Sequence, residues 1–214
     1  MVSLPLVSVR GALNLSSPDE FVALVTIKPK NMSSENYVIR NQNSVHFLTF
    51  TVIDWIDIFT RANYKEEIVA SLDFCQRNKG LVLYAWCLMT NHLHMVCKAD
   101  EPYHLTLIVR DFKRFTANNL LSKIQNEPES RRNWILSAFR NAGRYDNRVK
   151  KFHFWQDGCH PIEMINNQLI EQRINYVHEN PVRAMIVANP EDYLFSSARN
   201  YASLPAVIDV EVVD

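Results

Sequence analysis

Glycine is scarce in this chain, with only four in 214 residues. Neither a G-x-x-x-x-G-K-[ST] loop nor a G-x-G-x-x-G turn occurs, so the chain has no glycine-rich cradle for a nucleotide phosphate. The four cysteines (Cys75, Cys87, Cys97 and Cys159) form no C-x-x-C pair. The first three sit in apolar runs, as reduced core thiols of a cytosolic protein do. No apolar run reaches the roughly 18 residues a membrane-spanning helix requires. The N-terminus lacks a charged segment leading into an apolar one, which argues against a secretory leader. Net charge is absent as well: 23 Lys/Arg balance 23 Asp/Glu.

That balance hides an asymmetry. Between Tyr103 and His160 eleven Lys/Arg face five Asp/Glu, a local charge of +6, while the tail carries Asp209, Glu211 and Asp214. A basic middle fits either a surface that contacts phosphates or a solvated helix face. Hydrophobic residues make up 47% of the chain, enough to build a core.

Residues 1–40 mix Ser, Pro and short apolar pieces without a period, and read as a poorly ordered N-terminal extension. The patterned domain spans 41–204, and 205–214 form a tail. His46–Ile53 is β-branched and aromatic and reads as a strand. Tyr64–Arg77 carries Ile68, Leu72 and Cys75 at helical spacing and ends at Gly80, a C-terminal cap. Leu81–Met89 and His92–Lys98 form a hairpin across Thr90-Asn91. Thr106–Ile124 is a helix with Leu107, Ile108, Phe112, Phe115 and Leu120 expected inside. Residues 126–150 break the rhythm and read as an insertion with a short helical piece near Trp134–Phe139. Phe152–Gln156 and Pro161–Ile165 carry a fourth strand region. Gln168–Glu179 is a helix expected to stop at Asn180-Pro181, because proline disfavours helix at the residue before it. Asp192–Tyr201 is a final short helix. The order β-α-β-β-α-β-α predicts an α+β fold, a ferredoxin-like or RRM-like antiparallel sheet covered by helices.

Two short stretches carry chemistry. In His92-Leu93-His94 the histidines are two apart on a strand and face the same way. Two imidazoles side by side suit one divalent ion, or simply a polar sheet face. In the helix, Tyr176 and Asn180 are four apart and share a face. A phenol is a poor nucleophile at its usual pKa of about 10, and gains use beside a metal that polarises a phosphate. The alternative is a packed tyrosine and a helix-ending asparagine. Lys113 and Arg114 are candidate phosphate contacts. Trp155 is a candidate for stacking on a base, although a buried tryptophan is the commoner outcome.

Several stretches together resemble a family. Met89-Thr90-Asn91-His92-Leu93-His94-Met95-Val96 resembles the histidine–hydrophobe–histidine (HUH) motif of single-tyrosine transposases. Tyr176-Val177-His178-Glu179-Asn180-Pro181-Val182-Arg183-Ala184 is similar to the nucleophile segment of REP-associated tyrosine transposases and their insertion-sequence relatives. Pro190–Ala198, Phe154-Trp155-Gln156 and Asp111–Thr116 resemble further recurrent stretches, so the likeness runs from about Val45 to Tyr201. Thr90 departs from the pattern, standing where the family usually has proline.

The resemblance implies a metal-dependent single-stranded DNA endonuclease and strand transferase. His92, His94 and Asn180 would bind Mg²⁺ or Mn²⁺. Tyr176 would attack a phosphodiester near a DNA hairpin, form a 5′-phosphotyrosine link and release a 3′-hydroxyl, without ATP. It also implies a bacterial cytoplasmic enzyme, associated with the nucleoid when acting, and leaves monomer and homodimer open. Two other classes stay open: a catalytically silent nucleic-acid-binding sheet, and a zinc hydrolase, for which no further ligand with recognisable spacing is evident.

Overall fold

The computed structural model describes residues 38–144 and 151–213. The expected N-terminal extension falls almost wholly outside the described residues, and 145–150 of the expected insertion lie outside them too.

The described residues open with strand β1 (His46–Thr51), a single 3-10 turn at Ile53–Trp55 and helix α1 (Ala62–Lys79). The hairpin β2 (Leu81–Leu88) and β3 (His92–Ala99) follows, then α2 (Leu105–Asn126), α3 (Arg132–Gly143) and the two-residue β4 (Ile162–Glu163). Helix α4 (Asn167–Arg183), a 3-10 turn at Pro190–Asp192 and the short α5 (Ala198–Tyr201) complete it. The strands run β2-β3-β1-β4, all neighbours antiparallel. This is the ferredoxin-like order expected from the sequence.

The sheet is buried on both faces. Leu48 and Phe50 of β1 with Leu93, Met95 and Cys97 of β3 point to one side, where α1 and α2 pack. Phe47 and Val96 point to the other side, where α4 lays Ile174 and Val177. A bulge between Leu83 and Ala85 shifts the alternation in β2, so that Leu81 and Leu83 share the first face with Trp86 and Leu88. Gly80 caps α1 in the left-handed region (φ 65°), where glycine carries no Cβ penalty.

Four expectations are corrected. The buried stripe of α2 is Leu105, Ile108, Phe112, Thr116 and Leu120, while Leu107 and Phe115 are exposed. One step of phase along a helix turns a side chain by 100°, which suffices to move both out of the core. Helix α4 does not stop at Asn180: it runs through the buried Pro181 to Arg183, with Ala184 N–H bonded to Asn180 O at 2.9 Å. Proline removes only the bond to the carbonyl four residues back, and near a helix end packing offsets that loss. The Phe152–Gln156 region contributes one isolated bridge, Val52 to Trp155, rather than a strand. The expected helix over 192–201 is a 3-10 turn and the four-residue α5.

The region after α2 is integral to the core. Ile135 and Phe139 of α3 are fully buried, and Phe139 packs on Phe154 with centroids 5.0 Å apart. The tail runs beside β2, with Glu211 N–H bonded to Leu83 O at 2.9 Å.

Candidate active site

The α4-facing side of the sheet carries both histidines. In the β1–β3 register Thr51 opposes His92 and Thr49 opposes His94. Cys87 of β2 flanks His94 from the other side. The imidazole centroids are 4.6 Å apart, with ring planes 73° to one another.

Each imidazole has a partner at the same nitrogen. His92 Nδ1 lies 2.6 Å from Asn91 Oδ1, and His94 Nδ1 lies 2.9 Å from Thr49 Oγ1. An amide oxygen only accepts, so Nδ1 of His92 carries the proton and its Nε2 presents a lone pair. The Thr49 hydroxyl is able to hold His94 the same way. Such partners fix tautomer and ring orientation in metal-ligating histidines. Burial pushes the His92 pKa down to about 4, and burial with the neighbouring His92 and Arg173 pushes His94 down to about 3. Both rings are therefore neutral at pH 7, the form that ligates.

Helix α4 brings the tyrosine to this pair. Ile174 and Val177 seat the helix on the sheet, which places the half-buried Tyr176 at the rim of that contact. Its ring centroid is 5.6 Å from His94 and 5.9 Å from Phe47, and Phe47 in turn stacks on His94 at 5.4 Å. Asn180, one turn on, donates from Nδ2 to Tyr176 O at 2.7 Å. That bond occupies the amide nitrogen, which cannot ligate a cation. The remaining polar atom of the side chain is a carbonyl oxygen, the type a hard cation takes. Imidazole nitrogens and an amide oxygen are donor types that a divalent cation accepts, and the two imidazoles stand side by side.

Two arginines sit on the tyrosine. The Arg173 guanidinium carbon is 5.8 Å from the Tyr176 ring centroid and 5.2 Å from that of Phe47, and Arg183 is 5.4 Å from Tyr176. Positions 173, 176, 180 and 183 form a single stripe on α4 at helical spacing, so the sequence held a signal for both cations. Thr49 and Asn91 were also missed. Asn91 immediately precedes His92, and Thr49 becomes visible only through the strand register.

The candidate DNA contacts fare differently. Trp155 is 4% exposed, stacks on Phe59 at 5.8 Å and donates Nε1–H to Thr116 Oγ1 at 3.0 Å. It is a core residue, and the suggested base-stacking role is corrected. Lys113 donates Nζ–H to Gln156 O and Gly158 O, each at 2.7 Å, so its ammonium holds a loop rather than a phosphate. Arg114 is exposed beside Asp111, 3.7 Å away. Other cations of the basic stretch are likewise engaged: Lys123 with Glu67, Arg131 with Glu129, and Arg110 with Asp111. His178 is buried, with Nε2 2.8 Å from Ser197 Oγ, which accepts Trp86 N–H at 2.9 Å.

Residues 41–139 match the family model described as IS200-like transposase. That likeness covers 99 of the 214 residues. A solved REP-associated tyrosine transposase, bound to a REP hairpin, shares its fold with this chain at a TM-score of 0.57. The two are 15% identical, and the match covers 86% of this chain and 94% of that one. No curated protein matches the sequence. The matched segment includes the histidine pair and ends before Tyr176, which the fold brings back to that pair. Among the described residues no helix is long and apolar enough to cross a membrane.

Proposed function

We propose that this protein is a transposase of the HUH single-tyrosine superfamily that nicks and rejoins single-stranded DNA beside hairpins, with Tyr176 as nucleophile and a divalent cation, Mg²⁺ or Mn²⁺, held by His92, His94 and Asn180. The observation that carries the reading is the approach of Tyr176 to His94 on a sheet face where both imidazoles are oriented through Nδ1. A bound cation would supply polarisation of the phosphate and charge neutralisation there.

The chain's own residues account for the rest. The Tyr176 phenol oxygen attacks phosphorus and loses its proton to solvent. A P–Oη bond forms and the P–O3′ bond breaks, so the strand end leaves as a protonated 3′-hydroxyl and its partner stays as a 5′-phosphotyrosine. A 3′-hydroxyl from a second strand reverses these changes, returning the phenol and joining the strands. Phosphodiester chemistry is conserved throughout, so no ATP enters. Arg173 and Arg183 bracket Tyr176 and face the charge that gathers on the transferred phosphate. The reading needs no second copy, because Tyr176 and the histidines of one chain already meet; a homodimer would add substrate reach. The hairpin preference rests on likeness to the hairpin-bound transposase. Such work belongs in a bacterial cytoplasm, at the nucleoid.

The test is a nicking assay on labelled single-stranded DNA from the gene's own flanks, with Mn²⁺, comparing wild type with Tyr176→Phe. A metal-dependent covalent protein–DNA band that the variant lacks is the expected result. Tight hairpin binding without any covalent band would turn the reading to a catalytically silent binding protein. Activity with Zn²⁺ but not with Mg²⁺ or Mn²⁺ would favour a hydrolase.

A further inference from the structure

We propose that Trp55 is a stacking platform for an unpaired nucleobase of the substrate, set directly beside the histidine pair. The proposal rests on the nuclease reading for its substrate class. Two of the chain's tryptophans, Trp86 and Trp155, are buried, whereas Trp55 is 57% exposed. Its ring centroid lies 5.8 Å from that of His92, in an edge-to-face arrangement at 73°. An edge-to-face neighbour leaves much of an indole uncovered, and the exposure shows that the uncovered area meets solvent.

The backbone holds the ring there by unusual means. Asp54 and Trp55 are consecutive non-glycine residues in the left-handed region, with φ 52° and 55°. Residues of this kind persist only where the surroundings over-determine them. The surroundings here are Ile56, buried at 4% exposure, the Trp55 N–H bond to Val52 O at 3.1 Å, and the Asn91 Nδ2–H bond to Trp55 O at 3.1 Å. The strained turn buries Ile56 and leaves the large indole outside, so packing of the indole does not explain the conformation.

Asn91 joins the two functions. Its Nδ2 holds the Trp55 carbonyl while its Oδ1 holds His92 Nδ1. One side chain thus fixes the platform relative to a histidine that faces the scissile phosphate. A base adjoining that phosphate, once unstacked from its own strand, lies within reach of the indole. Aromatic stacking accepts any base, so the subsite selects unpaired DNA rather than a sequence.

The test compares binding of the full chain, in EDTA, to a 20-mer of deoxythymidine and to a 20-mer of abasic sugar-phosphate, by fluorescence anisotropy. Trp55→Ala is expected to weaken the thymidine oligomer by about 5- to 100-fold and to leave the abasic one unchanged. Trp55→Phe should keep most of the preference for bases. Trp55→Leu, which keeps apolar bulk without a flat π face, should lose it, and this variant serves if the alanine form does not fold. An equal loss on both oligomers, no loss on either, or a leucine form as selective as wild type would overturn the proposal. Nicking plays no part in this comparison. If Tyr176 forms no adduct, the stacking result still stands; if the adduct forms while base preference ignores residue 55, only the platform falls.

Discussion

Thr49 Oγ1 lies 2.9 Å from His94 Nδ1, across the β1–β3 pair in which the two residues are directly opposed. The threonine thereby engages Nδ1 and leaves Nε2 of His94 as the nitrogen available to a ligand. If His94 ligates a cation through Nε2, Thr49→Val removes the orienting partner while keeping the shape and the strand. Loss of such a partner typically costs about 10- to 100-fold in metal affinity. Calorimetric titration with Mn²⁺ should show a loss of that size, with thermal stability little changed. Unaltered Mn²⁺ affinity in Thr49→Val would remove Thr49 from the site.

The strand placement of His92 and His94 was legible because side chains on a strand alternate with period two, and the β-α-β-β-α-β order carried the sheet topology with it. The shared helix face of Tyr176 and Asn180 was legible through their spacing. The errors share one cause, which is that neighbours far along the chain decide burial. Trp155 reads as an aromatic candidate and Trp55 carries no sequence signal, yet Phe59, Phe154 and Thr116 enclose Trp155 while Trp55 lies in solvent. Lys113 reads as a phosphate contact until the carbonyls of Gln156 and Gly158 are seen to claim it. Pro181 reads as a stop, and the helix runs through it because its buried packing is tertiary.

Arg173 and Arg183 approach the Tyr176 ring from one turn before it and two turns after. Under the proposed mechanism each faces charge that grows as the phosphate is transferred. Replacing either by alanine removes a charge-assisted contact of roughly 1.5–3 kcal/mol. The expected loss is about 10- to 100-fold in the rate of covalent adduct formation, measured at saturating DNA. Lysine at 173 should recover only part of it, since an ammonium lacks the planar fork that matches phosphate. A rate unchanged in both alanine variants would mean that the arginines only pack on the aromatic rings.

Lys113 allows a contrast with a true phosphate contact. Its half-buried side chain donates to two backbone carbonyls, and burial lowers its pKa. Lys113→Met leaves those carbonyls without a donor, at a cost of roughly 1–3 kcal/mol in unfolding free energy. The salt dependence of DNA binding should not change, because no phosphate contact is lost. Arg114→Ala supplies the comparison: if this exposed cation touches DNA, the slope of log affinity against log salt falls by about one. A reduced slope in Lys113→Met with normal stability would reverse the two assignments.

His178 links folding to pH. It is a residue of α4 buried against Ser197, and burial pushes its pKa down to about 4. In the unfolded chain the imidazole returns to about 6.5. Between these values the unfolded state binds the extra proton, so stability is fully present above pH 6.5 and declines as the pH falls toward 4. For this one histidine the loss between pH 7 and pH 5 is roughly 2 kcal/mol. His92 and His94 add to the wild-type slope in the same direction. Urea unfolding at the two pH values should therefore show a steep acid loss in wild type and a smaller one in His178→Gln, whatever the absolute stability of the variant. Equal slopes in the two proteins would mean that His178 takes up its proton at the same pH in the folded and unfolded chain.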